Sequence, residues 1–200
     1  MDSFDLASEG ISAEGWLALP DFVDSETIAA LRDECRQFAA NGMLREAAVG
    51  NKVNHKIRPE IRSDEILWLE AGGNAGRQRC LARFERLRLA LNRQLQLGLF
   101  EFECHFSRYA PGAFYRKHFD QFRDDGRRRL SCVLYLNENW EREDGGELRL
   151  YVGASKAGEF EDVLPVGGTL VLFLSERFAH EVLPAKRERL SLTGWFKSRE

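Results

Sequence analysis

"FEFECHFSRYA" (residues 100–110) alternates Phe102, Cys104 and Phe106 with Glu101, Glu103 and His105. Successive strand side chains point to opposite faces, so the stretch reads as a half-buried strand with one apolar and one polar face. On that reading the polar face meets solvent, and His105 is a surface residue. Downstream, "RLSCVLYLN", "GELRLYV", "EDVLP", "GGTLVLFLS", "HEVLP" and "RLSLTGWF" follow at short intervals, separated by Gly, Asp, Asn or Pro. Many short strands joined by tight turns indicate a barrel or sandwich, not alternating strand–helix units. The fold class expected is mostly β with N-terminal helices: a barrel of about eight strands, buttressed by α-helices on one outer face.

Upstream, the period changes. "DSETIAALRDECRQFAANG" offers Asp24 as a helix cap, Ile28, Leu31, Cys35 and Phe38 at helical spacing, and Gly42 as a stop. "GRQRCLARFERLRLALNRQLQ" places Leu81, Phe84, Leu87, Leu91 and Leu95 on one face of a second helix. Between them, "REAAVGNKVNHKIRPEIRSD" (residues 45–64) is polar, basic and poorly patterned, and reads as a long excursion of the kind that often serves as a lid. His55, Lys56 and Arg58 sit in it.

The 200 residues fit a single domain (1–200), with residues 1–99 as helical support and loop and residues 100–200 as the β core. With 44% hydrophobic and 30% charged residues, the chain has enough apolar material for a full core. The formal net charge of -3 gives no global attraction to nucleic acid or anionic membrane, so neither is an expected partner. No apolar run reaches the roughly 20 residues of a membrane span. The acidic start "MDSFDLASEG" lacks the pattern of a signal peptide. Cys35, Cys80, Cys104 and Cys132 have no paired spacing, so reduced thiols in a cytoplasmic protein are expected.

Chemistry enters with "FYRKHFDQF" (residues 114–122), where His118 and Asp120 stand two apart and on a strand would share a face. Alone, the pair is most simply a strand histidine bonded to a neighbouring carboxylate. His180 follows sixty residues after Asp120, in "FAHEVLP", just past an apolar strand. Two histidines and one carboxylate are the facial triad of non-haem Fe(II), which leaves three coordination positions open; a structural zinc site would close with four ligands. Arg189, nine residues after His180, opens the strand "RLSLTGWF". An arginine aimed into a barrel is costly unless an anion meets it, and a dicarboxylic acid chelating iron at one end offers that anion at the other. Tyr109, Tyr135 and Thr193 lie on neighbouring expected strands and offer hydroxyls to the same carboxylate.

The combination resembles the Fe(II)- and 2-oxoglutarate-dependent prolyl hydroxylases, in the branch of the hypoxia-inducible-factor prolyl hydroxylases and their bacterial relatives. The resemblance covers most of the chain and is densest from Tyr109 to Phe196: "RYAPGAFYRKHFD", "LYLNENW" followed by "GGELRLY", and "HEVLPAKRER". It departs in an extra alanine, Ala110, and in a longer, more basic turn at "GRRRL". The resemblance implies a double-stranded β-helix (jelly roll). It implies His118, Asp120 and His180 as iron ligands, Arg189, Tyr135, Tyr109 and Thr193 as 2-oxoglutarate contacts, and Trp195, Arg128 and Arg62 on the substrate side. It further implies O2 as oxidant, ascorbate as reductant, and succinate and CO2 as products. The substrate implied is a prolyl residue in a cytosolic protein, with elongation factor Tu as the expected partner, and residues from about Arg45 to Glu60 form the substrate-covering loop. The competing functions are a sibling oxygenase acting on another protein residue, a nucleic-acid base or a small molecule, and an oxygen-sensing module that retains the site.

Overall fold

The structure, a computed structural model, describes residues 2–50, 56–121, 126–153 and 158–199. His55 of the polar excursion lies outside the described residues. Three helices, α1 (Ser3–Ala13), α2 (Ser25–Ala40) and α3 (Ala75–Leu95), alternate with short strands β1 (Trp16–Leu19), β2 (Arg45–Glu46), β3 (Ala48–Val49), β4 (Lys56–Ile57) and β5 (Glu65–Trp68). Eight strands follow: β6 (Leu99–Tyr109), β7 (Tyr115–His118), β8 (Arg128–Tyr135), β9 (Leu148–Tyr151), β10 (Phe160–Val163), β11 (Leu170–Leu174), β12 (His180–Val182) and β13 (Arg189–Ser198).

The expected β architecture is present as two sheets. The larger runs β1-β11-β8-β13-β6-β5-β2 and the smaller β10-β9-β12-β7, while β3 pairs with β4 beside them. From β6 to β13 the chain passes back and forth between the sheets at every step but β9–β10, which pair with each other in the smaller sheet, and this is the winding of a jelly roll. The first half of the chain does more than support the core: β1 and β2 form both edges of the larger sheet, and β5 pairs with β6. Strands of two to four residues carry too little periodicity for these pairings to be read from the sequence.

Both expected helices form. Asp24 caps α2 by accepting from the Thr27 N–H at 2.7 Å, which satisfies one of the orphan donors of the first turn. Along α3, Cys80, Phe84, Leu87 and Leu91 are buried at helical spacing. The additional helix α1 starts with a capping box, in which Asp2 accepts from the first turn and Asp5 accepts from the Asp2 N–H. Among the described residues no helix is long and apolar enough to cross a membrane.

Two apolar cores lie on either side of the larger sheet. The outer one joins the helices to the sheet: Phe84 of α3 stacks on Phe102 of β6 with centroids 4.6 Å apart and meets Phe196 of β13 at 6.3 Å. The inner one, between the sheets, gathers Tyr109, Val133, Tyr135, Leu150, Phe173 and Phe178. Strand β13 serves both, with Leu190, Leu192 and Phe196 in the helix-side core and Arg189, Thr193 and Trp195 lining the interior cavity. Gly194 sits where a Cβ would meet the Glu103 carbonyl oxygen at 2.6 Å and the Phe102 ring at 2.7 Å, so only glycine lets β13 and β6 close here.

The opening stretch alternates as expected, but its polar face is not solvent. Phe102, Cys104 and Phe106 pack toward the helices, while Glu103, His105, Ser107 and Tyr109 line the interior cavity. His105 is therefore buried, 3% exposed, and its assignment to the surface is corrected. In a two-layer fold the second face of a strand can turn toward a polar interior as readily as toward water.

Candidate active site

One cavity of about 850 Å³ opens between the two sheets. His118 ends β7 and His180 begins β12, and the two residues are register partners across the smaller sheet. Asp120 comes two residues past His118, beyond the end of β7 instead of within it. Its carboxylate reaches back so that Oδ1 lies 3.7 Å from His118 Nε2 and Oδ2 lies 3.5 Å from His180 Nε2. The three ligand atoms all fall within 4.8 Å of one another, a group able to hold a metal ion. Phe119, between the two donors, is exposed at the rim of the same cavity.

The surroundings fix the donor atoms. His118 Nδ1 lies 2.8 Å from the Arg116 carbonyl and His180 Nδ1 lies 3.3 Å from the Phe178 carbonyl. A carbonyl oxygen only accepts, so each Nδ1 carries the proton and each Nε2 offers its lone pair to the centre. Burial pushes the His180 pKa down to about 4, with the neighbouring His118 acting in the same direction. Burial alone would raise the Asp120 carboxyl, but His180, His118 and the Ser131 hydroxyl together hold it well below the usual carboxylate range. Two neutral imidazoles and one carboxylate are a borderline-hard donor set with no thiolate, which suits Fe(II).

Deeper in the cavity, Arg189 is 1% exposed. Its Nε donates to the Gly146 carbonyl at 2.9 Å, and its guanidinium lies 5.0 Å from the Tyr109 ring centre and 5.1 Å from that of Tyr135. The glycine pair explains itself here. Gly146 has φ +73°, and a Cβ on it would meet the Ala185 Cβ at 2.8 Å and Arg189 Cδ at 3.3 Å. Trp140 Nε1 donates to the Gly145 carbonyl at 2.9 Å and steadies the same turn. The "LYLNENW" and "GGELRLY" segments thus hold the arginine from behind.

Arg189 Nη2 and the Tyr135 hydroxyl are both buried without a hydrogen-bond partner among the described residues. Burial pushes the Tyr135 phenol up to about 12, with the Arg189 charge pulling the other way, and it pushes the Tyr109 phenol up as well. A buried cation and a buried hydroxyl left open together are the complement of a carboxylate. Thr193 lines the same wall, its hydroxyl 3.3 Å from that of Ser191 and 3.5 Å from that of Ser107.

Toward the mouth, Trp195 is 5% exposed and its Nε1 also has no hydrogen-bond partner among the described residues. Arg128 lies 3.6 Å over its ring and pairs with Glu103 at 2.9 Å. Arg62 forms a two-pronged pair with Asp64, at 2.7 and 2.6 Å, and covers the Tyr115 ring at 4.2 Å. Both arginines line the cavity, and both have an acidic partner within the chain. Trp68 from β5 and His105 from β6 complete the wall, with ring centres 4.9 Å apart. Sequence reading missed His105, Asp64, Ser131 and Ser175. Asp64 follows Arg62 by two residues in "IRSD", and Ser131 is a lone hydroxyl in an apolar strand; both are readable signals once the strand faces are known.

Residues 104–197 match the family model described as the 2OG-Fe(II) oxygenase superfamily. The solved structure of a Pseudomonas putida prolyl-4-hydroxylase is 46% identical, covers 98% of this chain and 100% of its own, and superposes with a TM-score of 0.89. The hypoxia-inducible factor prolyl hydroxylase of Caenorhabditis elegans is 29% identical over 91% of this chain, and Egl nine homolog 1 of Homo sapiens is 26% identical over 93%. The chain spans 26% and 44% of the length of those two relatives.

Proposed function

The chain belongs to the 2OG-Fe(II) oxygenase superfamily, among its prolyl hydroxylases, and from that premise we propose that it hydroxylates a prolyl residue in a protein, using Fe(II), 2-oxoglutarate and O2. His118, Asp120 and His180 would hold the iron. Arg189 and Tyr135, with Tyr109 and Thr193 beside them, would hold the distal carboxylate of 2-oxoglutarate. Trp195, Arg128 and Arg62 would line the approach of the prolyl ring, the two arginines as walls that their acidic partners keep in place. All of this falls within one catalytic domain, residues 1–200.

The observation that carries the reading is the open Arg189 Nη2 and Tyr135 hydroxyl in the same cavity as the triad. Bound there, Fe(II) would supply dioxygen activation coupled to oxidative decarboxylation of 2-oxoglutarate to succinate and CO2, with one oxygen atom delivered to the substrate. The chain's own residues do the remaining work. The Arg116 and Phe178 carbonyls keep both imidazoles in the tautomer that faces the centre. Asp120 stays ionised and contributes negative charge. Arg189 would hold the keto acid by its distal carboxylate and so orient it. The buried Trp195 would shield the cavity from water, with Trp68 beside it.

Within protein substrates we infer elongation factor Tu, through a prolyl in one of its loops, as the partner, and the cytoplasm as the compartment. The resemblance to bacterial members of the branch supports the first, and four buried free thiols suit the second. Ascorbate is the reductant this reading implies. Anaerobic loading with Fe(II) and 2-oxoglutarate, followed by oxygen and elongation factor Tu, is expected to yield succinate in step with one hydroxylated proline. Succinate without modification of any candidate protein would overturn the substrate. Arg189→Ala is expected to weaken 2-oxoglutarate binding by about ten- to a hundredfold, the equivalent of one or two charge-assisted hydrogen bonds, and to leave metal affinity unchanged. Retained 2-oxoglutarate affinity would overturn the anchor.

A further inference from the structure

Asp120 has a partner that the ligand set alone does not require. Its Oδ2 accepts a hydrogen bond from Ser131 Oγ at 2.7 Å, and Ser131 Oγ lies 2.9 Å from Ser175 Oγ. Both serines are buried, 1% and 0% exposed. The carboxylate only accepts, so Ser131 spends its proton on Asp120 and must receive its own hydrogen bond from Ser175. The chain of donors therefore runs in one direction, from Ser175 through Ser131 to Asp120, and each bond polarises the next.

Its placement matters. Asp120 follows β7, Ser131 lies on β8, and Ser175 stands at the end of β11, where the Glu176–Ala179 turn leads to His180. The Ser175 N–H is itself fixed on the Arg129 carbonyl at 3.1 Å. The relay thus crosses between the two sheets and ties one ligand to the turn that delivers another.

We propose that Ser131, set by Ser175, is the positioning residue that holds Asp120 as a one-oxygen metal ligand. With one Oδ2 lone pair engaged by a hydroxyl and Oδ2 held in place, Oδ1 is the oxygen favoured to face the ion. A carboxylate released from that bond would rotate and offer both oxygens, filling a coordination position that the co-substrate or oxygen needs. The inference rests on the iron-site reading and deepens it.

Co(II), an air-stable stand-in for Fe(II), tests both levels through its affinity and its ligand-field absorption. The parent protein is expected to bind Co(II); failure to do so would overturn the metal reading and this inference with it. Given binding, Ser131→Ala is expected to weaken Co(II) by about tenfold, the low end for loss of an outer partner, and to shift the absorption band as the carboxylate changes its mode of binding. Ser131→Thr, which keeps the hydroxyl, is expected to restore both. Ser175→Ala touches no ligand and removes only the donor to Ser131, so it is expected to shift both readouts in the same direction by a smaller amount, and it serves if Ser131→Ala does not fold. Parental affinity and spectrum in Ser131→Ala, or in Ser175→Ala where Ser131→Ala is unfolded, would overturn the relay while leaving the metal site standing. So would a band shift that Ser131→Thr does not reverse.

Discussion

Burial holds the His105 imidazole neutral, pushing its pKa from 6.5 down to about 4, and the Arg62 charge acts in the same direction. Its Nδ1 lies 3.2 Å from the Phe106 carbonyl and 3.1 Å from the Ser107 hydroxyl. In the unfolded chain the same ring takes a proton near pH 6.5. Between pH 6.5 and 4 the unfolded state therefore binds more protons than the folded one, and stability falls as the pH falls through that window. Above pH 6.5 this contribution is constant. The drop is on the order of 3 kcal/mol for a shift of this size, and His180, lowered in the same way, adds to it. Denaturant unfolding from pH 7 to pH 4 is expected to show a shallower slope in His105→Asn than in the parent; identical slopes would place the ring in contact with water. Sequence alternation located the side of the strand on which His105 lies but not what that side faces. The triad and Arg189 were easier to read, since His118 and His180 are two of only four histidines and stand at fixed offsets from Asp120 and Arg189. Ser131 and Ser175 were not, because an isolated serine in a strand carries no chemistry until its neighbour across the fold is known.

Turns and strands decide how the site is held. The Gly145–Gly146 turn presents a carbonyl to Arg189 from a left-handed backbone that a side chain would strain. Gly146→Ala is expected to displace that carbonyl and with it the guanidinium. It should weaken 2-oxoglutarate binding by about tenfold, comparable to loss of one hydrogen bond to a charged group, with Co(II) affinity unchanged. Equilibrium titration of each ligand separates the two outcomes, and equal loss of both would mean that the turn supports the whole cavity. Helices α2 and α3 were legible because apolar spacing, and for α2 the Asp24 cap, are local properties. Strands β1, β2 and β5 were not, since pairing partners far along the chain give them their order, and four residues or fewer leave no pattern.

At the scale of the whole molecule, the larger sheet separates two interiors with different duties. Phe84 is fully buried against Phe22, Phe102 and Phe196 on the helix side. Phe84→Ala removes a ring from that packed layer and is expected to cost about 3–5 kcal/mol of folding stability. The cavity lies across the sheet, so Co(II) affinity of the folded variant should match the parent; denaturation curves and metal titration on the same sample check both halves. A barrel or sandwich was readable from the count and spacing of the strands after Phe100; the jelly-roll winding came only with the resemblance, since short connections between strands leave their order across two sheets open. Which face of the larger sheet's central strands looks toward the helices was not readable, because both faces are buried and hydropathy distinguishes wet from dry only where water is present.

That arrangement has a consequence for how the protein could change over time. Along β13, the even-numbered positions 190, 192, 194 and 196 answer to packing, and the odd-numbered positions 189, 193 and 195 line the cavity. Selection for a hardier scaffold and selection for a different substrate would act on interleaved letters of one ten-residue word, and neither need erase the other. An inserted or deleted residue would exchange the two alphabets at once, sending Arg189 among phenylalanines and leucines into the cavity. Point substitution is therefore the open route to variation in this strand, and a change of length is the closed one.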